Sequence, residues 1–186
     1  MANIEIFKSH LTGGGARANQ FDILMTWPAA IIVEGNAQTE LRYLCKATSL
    51  PSTTVGETPV PYRGRVLKLA GDRTYEDWET TILNDTDFNI RNTVEHWVDT
   101  MDRTLSEGDF SSTSSVINPM DYQSQAIVRQ LDRTGKVIKL YQFHGIWPSN
   151  ITAIDLGYDT NDVVEEFNVT WKYNYFTSHV PTTTFV

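Results

Sequence analysis

The chain is poor in several things at once, and each shortage narrows what it can be. It has a single cysteine, Cys45, so no internal disulfide can form and a cross-linked secreted scaffold is excluded. No stretch approaches the roughly 20 consecutive apolar residues of a membrane helix, so no membrane anchor is expected. Cationic side chains number 15 against 23 anionic ones, a formal net charge of −8 at pH 7. A broad nucleic-acid-binding face needs clustered Lys and Arg to displace counterions from phosphates, and this balance argues against one. With 11 glycines and 7 prolines in 186 residues, collagen-like and disordered classes fall away. The opening MANIEIFKSHLTGGG lacks a basic start followed by an apolar run, so no signal peptide is expected. The N-x-[ST] matches at Asn84, Asn150 and Asn168 then read as chance in a chain made in a reducing compartment.

Catalytic constellations are scarce too. Gly13–Gly15 is followed by no Gly-Lys-[Ser/Thr] and reads as a helix stop, not a phosphate loop. No G-x-S-x-G elbow mounts a serine. His10, His96, His144 and His179 are isolated, none at the i+4 spacing of a helical zinc pair. Asp159, Asn161, Asp162 and Glu165 cluster oxygen ligands but lack the central glycine and spacing of a calcium loop. Cys45 reads as a small buried hydrophobe. No enzyme, cofactor or metal is expected.

What is present is a core. Hydrophobic residues make up 40% of the chain, with five Trp, eight Tyr and eight Phe, a supply that suits a sheet-rich fold of one domain over 1–186. Ile4, Phe7 and Leu11 share one stripe of a helix over 3–12. Phe21, Ile23, Met25 and Trp27 alternate, as do Leu41, Tyr43 and Cys45, and the two runs read as strands joined near Glu34–Asn36. Residues 50–64, LPSTTVGETPVPYRG, read as an extended loop, because three prolines bar a central strand. Leu67 and Leu69, the turn residues Gly71–Asp72, and then Trp78, Thr80 and Ile82 predict a hairpin. Ile90, Val94, Trp97, Val98 and Met101 define a helix over 88–101 with Asp85, Thr86 or Asp87 as its cap. A polar loop is expected over 106–120. AIVRQL and KVIKLYQF flank the turn DRTG as a second hairpin. Phe167, Val169, Trp171, Tyr173 and Tyr175 line one face of the last strand, and an extended arm is expected over 177–186. The sum is mainly β: an antiparallel β-sandwich or partly open barrel with a helix across one end.

The charge is blocked. Residues 42–70 carry five basic side chains and one acidic, and residues 72–109 carry eleven acidic and three basic. A smaller basic patch covers 129–139, and 140–186 is again acidic. Such blocks pair within a chain, stay solvated, or pair between copies in a head-to-tail contact.

Five segments in order, CKATSLP at 45–51, AGDRTYEDWETTILND at 70–85, AIVRQ at 126–130, GIWPSN at 145–150 and DTNDVVEEFNVTW at 159–171, resemble the tail tube proteins of contractile-tailed bacteriophages (myoviruses). The resemblance spans 45–171 and leaves 28–40 and the tail beyond Phe176 unmatched. It implies a structural virion protein that forms hexameric rings whose inner sheets merge into one barrel. The rings stack inside a sheath, contraction drives the tube through the host envelope, and genomic DNA travels the lumen without specific binding. Implied partners are further copies of the chain, the tail sheath protein, the baseplate tube initiator and the tail terminator, with assembly in the host bacterial cytoplasm. Type VI secretion and bacteriocin inner tubes share this architecture. A monomeric ligand-binding β-sandwich is the alternative from another class. The long loop 50–64 resembles the family's loop that reaches neighbouring subunits. Pro51, Glu57, Pro59, Pro61, Arg63, Arg65, Asp72 and Arg73 are therefore the candidate stacking residues, with the 3–12 helix and the 177–186 arm as further inter-subunit elements. Asp72 and Arg73 pair locally or across a subunit boundary.

Overall fold

A computed structural model describes residues 4–101 and 118–180 of the chain. Helix α1 (Ile4–His10) ends in a 3-10 turn, Thr12–Gly14. Gly13, Gly14 and Gly15 all have positive φ, a backbone that halts a helix cheaply only without a Cβ. The remaining elements are β1 (Phe21–Thr26), α2 (Ala37–Leu44), β2 (Cys45–Thr48), β3 (Thr53–Tyr62), β4 (Arg65–Tyr75), β5 (Trp78–Leu83) and α3 (Asn89–Met101). They continue with α4 (Pro119–Tyr122), β6 (Ser124–Leu131), β7 (Val137–Ile151), β8 (Glu166–Lys172) and β9 (Tyr175–His179).

Seven strands form one antiparallel sheet, in the order β1-β6-β7-β8-β5-β2 with β9 also on β7, while β3 and β4 form a separate two-stranded sheet. The long β7 joins the two halves of the larger sheet. Its residues 137–146 pair with β6, residues 140–144 pair with β9, and residues 147–151 pair with β8. The sheet folds over on itself without closing, as the mainly-β, partly open architecture predicts.

The core lies between the halves of the sheet and α3. Trp78, Trp97, Trp171, Phe143 and Phe167 are essentially fully buried. Trp78 stacks on Phe143 at 4.6 Å, and Trp97 lies 5.7 Å from both Trp171 and Trp27. Burying an indole strands its N–H unless it finds an acceptor. Trp171 Nε1 donates to Thr80 Oγ1 at 2.9 Å, Trp78 Nε1 to the Ser49 carbonyl at 2.9 Å, and Trp97 Nε1 to the Tyr122 carbonyl at 2.8 Å. The core aromatics thus fasten the segments around them as well as filling space.

Several sequence expectations need correction. Leu41 and Tyr43 belong to α2, not to a strand. Ala37 and Leu41, one turn apart, are buried while Tyr43 is exposed, and a run rich in good helix formers overrides a three-residue alternation. The strand there is only Cys45–Thr48, and it pairs with β5 while β1 pairs with β6. The α3 helix begins after Phe88 at φ 56. Asp85 does not cap it but accepts from the Thr86 N–H at 2.7 Å in the preceding turn. The last strand breaks at Tyr173–Asn174, and the inward phase slips by one: Phe176 packs on the core, while Tyr175 is exposed and stacks on His144 at 4.6 Å. Thr177, Ser178 and His179 lie in β9 and not in a free arm; residues 181–186 are outside the described residues. Most of the 106–120 loop is also outside them, and Pro119–Tyr122 is a helical turn. The β6–β7 hairpin is as expected. The Asp132 carboxylate accepts from Thr134 N, Thr134 Oγ1 and Lys136 N, and these bonds, the Thr134 hydroxyl's first, hold its pKa below the usual carboxylate range.

Asp22, which alternation places on the solvent side, is 5% exposed. Its Oδ1 accepts from Arg42 Nε of α2 at 2.8 Å, and its Oδ2 pairs with Arg129, its cross-strand neighbour on β6. One buried carboxylate therefore ties α2 to the sheet edge, and removing its charge leaves two guanidinium groups short of a counter-ion. Asp22→Asn is expected to lower unfolding free energy by about 2 kcal/mol, read as a lower urea midpoint at unchanged m-value.

Candidate functional site

The feature least explained by folding is the β3–β4 hairpin. Ten and eleven residues long, it is exposed along β3 and along nearly all of β4. Tyr62 pairs with Arg65 across a two-residue turn in which Arg63 (φ 45) and Gly64 (φ 78) both have positive φ. That is the requirement of a type I′ turn, whose twist matches the strands it joins. Proline is tolerated in β3 for a topological reason. Counting from the closing pair Tyr62↔Arg65, Pro61↔Val66 and Pro59↔Lys68 fall at non-hydrogen-bonded pairs. The missing N–H groups therefore lie on the outer edge of the ribbon, where no ladder bond is lost.

Lower down, the register shifts between Val55 and Glu57, so that Gly56 opposes both Gly71 and Asp72. A Cβ on Gly71 would sit 3.2 Å from the Gly56 carbonyl group, which explains glycine at this bulge. The root is held by Tyr75, whose ring lies 6.0 Å from Tyr173 and 5.6 Å from Phe176.

The register sorts the hairpin into two faces. Thr58, Val60, Tyr62, Arg65, Leu67 and Leu69 share one. Glu57, Pro59, Pro61, Val66, Lys68 and Ala70 share the other, where Lys68 and Glu57 form an ion pair at 2.9 Å. Val60, Tyr62, Val66, Leu67 and Leu69 are all exposed.

The expected 50–64 loop is thus one strand of a projecting hairpin, and Gly71–Asp72 is a bulge within its other strand, not a turn. The expected β4–β5 hairpin does not form: β4 pairs with β3, and β5 with β2 and β8. Of the candidate stacking residues, Glu57, Pro59, Pro61, Arg63, Arg65, Asp72 and Arg73 lie on the hairpin, while Pro51 sits half-buried just before it. Arg63 rests 5.3 Å over the Tyr62 ring. Among the described residues Arg63, Arg65, Asp72 and Arg73 form no ion pair, whereas Arg42, Lys46 and Lys68 from the same basic block pair with Asp22, Glu166 and Glu57. Sequence reading missed the exposed Val60, Val66, Leu67 and Leu69. The signal available was Arg-Gly between two runs of similar length, a two-residue turn pattern.

Elsewhere the chemistry is quiet. Cys45 is buried, and desolvation pushes its thiol up to about 12, against a smaller opposing effect of the Ala47 backbone. His96 faces Glu34 at 3.6 Å. Among the described residues no group of three or more His, Cys, Asp or Glu is arranged to hold a metal, and no helix is long and apolar enough to cross a membrane.

Comparison with known proteins decides the family. A family model described as phage tail tube protein matches residues 16–179. The chain belongs to the phage tail tube protein family. This tail tube protein is 33% identical to tail tube protein gp19 of Enterobacteria phage T4 over 147 residues, 75% of this chain and 86% of that one. It is 25% identical over 175 residues to the tail tube protein of Serratia phage KSP90, covering 93% and 95% of the two chains. Its fold is also similar to a chain of the anti-feeding prophage baseplate, with a TM-score of 0.57 at 10% identity over 89% of this chain and 95% of that one. A chain of the sheath-tube complex of the extracellular contractile injection system PVC gives 0.54 at 9% identity over 92% and 97%. The role of this tail tube protein is structural, in the tube of a contractile phage tail.

Two outcomes test this description. Gly64→Val, which forces a β-branched residue to positive φ, should speed hydrogen exchange across Val60 and Leu67 by about tenfold, a local cost near 1–2 kcal/mol. It should leave the thermal midpoint of the core within about 2 °C. Cys45 should stay unmodified by a thiol-selective disulfide reagent at pH 8 and react only after unfolding.

Proposed function

We propose that copies of this chain assemble into hexameric rings that stack head to tail into the inner tail tube, the conduit for genomic DNA during ejection. In this reading, sheath contraction drives the tube through the host envelope, and the tube is built in the host bacterial cytoplasm before it joins the virion. The observation that carries the assembly is the exposed hairpin. A two-stranded ribbon is marginal in water without a covering surface, and this one displays aliphatic side chains on both faces.

Other features support the same reading. β1 and β2 end the larger sheet with one unpaired edge each, and edge pairing between neighbours in a ring removes such edges. α1 has no buried residue and exposes Ile4, Ile6 and Phe7, with Leu11 exposed just after it, which suits the N-terminal helix as a contact between subunits.

For DNA passage the favoured wall is the non-core face of β1, β6, β7 and β9. Thr26, Gln125, His144 and Tyr175 form one cross-strand row there, and Leu24, Ile127, Gln142 and Thr177 form the next. Gln142 Nε2 donates to Gln125 Oε1 at 2.9 Å. The paired rows of this face carry one Lys or Arg, Arg129, and Asp22 pairs with it, so the face offers DNA no row of cations to grip. The sheath, the baseplate initiator and the tail terminator are the other partners, since the similar solved chains come from a baseplate, a sheath-tube complex and a sheath/tube terminator.

Thr54 and Thr74 are cross-strand partners, so residues 55–73 can be replaced by an Asn-Gly turn without pulling the root apart. The wild-type chain should show rings or tubes by negative-stain microscopy. The replacement should give subunits with native circular dichroism and no tubes. Normal-length tubes from the replacement would remove the hairpin from assembly, and a wild type that stays monomeric at high concentration would overturn the tube reading itself.

A further inference from the structure

We propose that the β3–β4 hairpin of one copy docks on the 152–165 segment of the copy in the next ring, so that the stacking axis runs along strands β5 and β8. The inference rests on the tube reading above and names the surface that receives the hairpin.

The placement comes from topology. β5 and β8 are antiparallel, with Trp78 opposite Trp171 at one end and Leu83 opposite Glu166 at the other. The hairpin leaves from the Trp78 end, where Asp77 and Lys172 form an ion pair at 2.6 Å. The 152–165 segment enters β8 at the Leu83 end. There Asn84 N donates to the Glu165 carbonyl at 2.9 Å and Asn84 Nδ2 to Glu165 Oε2 at 3.0 Å. Six residues of strand, about 20 Å, separate the two attachments, which lie at opposite ends of this strand pair. Two different, well-separated patches are what an open head-to-tail polymer requires.

The surfaces also match in character. Leu156, Tyr158, Val163 and Val164 of the segment are all more than 60% exposed, an apolar set that the fold itself does not bury. They flank Asp155, Asp159 and Asp162, which have no cationic partner among the described residues. The hairpin offers Val60 and Leu67 beside Arg63 and Arg65, the two cations of the basic block left without a carboxylate. Apolar surface meets apolar surface, and each unpaired charge meets its opposite. The occupant is therefore a second copy of this chain.

The test is a charge exchange read by sedimentation and negative-stain microscopy of the full chain. D155K/D162K and R63E/R65E should each fold with native circular dichroism and reduce pelletable tubes by about tenfold or more in 0.15 M salt. The four substitutions together, which restore complementarity with reversed sign, should return tubes to at least about half the wild-type yield. Wild-type yield from D155K/D162K, or failure of the fourfold variant to recover, overturns the docking. If the hairpin replacement abolishes tubes while D155K/D162K leaves them intact, the hairpin docks elsewhere and the tube reading stands.

Discussion

Strand β7 has to serve two halves of one sheet, and the rest of the molecule is arranged around how it does so. Up to Ile146 it lies beside β6; beyond that it continues beside β8 alone. The change happens at Gly145, at φ 67, where an added Cβ would fall 2.2 Å from Asn174 Nδ2. A side chain there would strain the positive-φ backbone and displace the Asn174 amide, and the partner strand breaks at the same level, so β8 and β9 are two pieces of one run. The break lets the sheet fold over its own core. It also explains why Pro148 is tolerated within β7: the register shifts again directly after it.

With the core closed in this way, the indole N–H groups of Trp78, Trp97 and Trp171 are satisfied internally, and much of the subunit's remaining apolar surface sits in outlying elements. α1, the hairpin and the 152–165 segment are exposed, and the first two bury nothing of consequence above the hairpin root. The stability of the body and the availability of these surfaces are thus separate properties. Tyr75 is the joint between them, packing on Tyr173 and Phe176 while the strand above it stands clear. The blocked charge has the same division. Most cations of the 42–70 block are spent on local carboxylates, and the two left over stand at the hairpin turn.

Much of this was legible in the residues, for reasons that differ by element. The β6–β7 hairpin, β1, β8 and α3 carry alternation or helical spacing over six residues or more, backed by burial of the matching face. The Leu41–Tyr43–Cys45 alternation was too short to outweigh local helix preference. The 65–83 region was misread because Gly71–Asp72 looks like a turn when strand pairing is unknown, and only the partner strand reveals a bulge. Pro59 and Pro61 suggested a loop, since proline's penalty depends on which edge its nitrogen faces, a property of register and not of composition. Buried Asp22 was hidden for the same reason: its two arginines arrive from 20 and 107 positions away. For the candidate site, the location near 50–73 was readable, but the exposed aliphatics that make it a contact surface were not, because alternation alone does not say whether anything covers the face.

The prolines on the hairpin's outer edge have one more consequence. An exposed ribbon with aliphatic faces is a template for fibre growth, in which strands add one after another through backbone bonds. At Pro59 and Pro61 the β3 edge has no N–H to offer, so a stray strand finds gaps where the ladder should continue. The subunit can hold an apolar arm in water while it waits for a partner, because association on that side must go through side chains, whose fit discriminates, and not through the peptide backbone, which every chain shares.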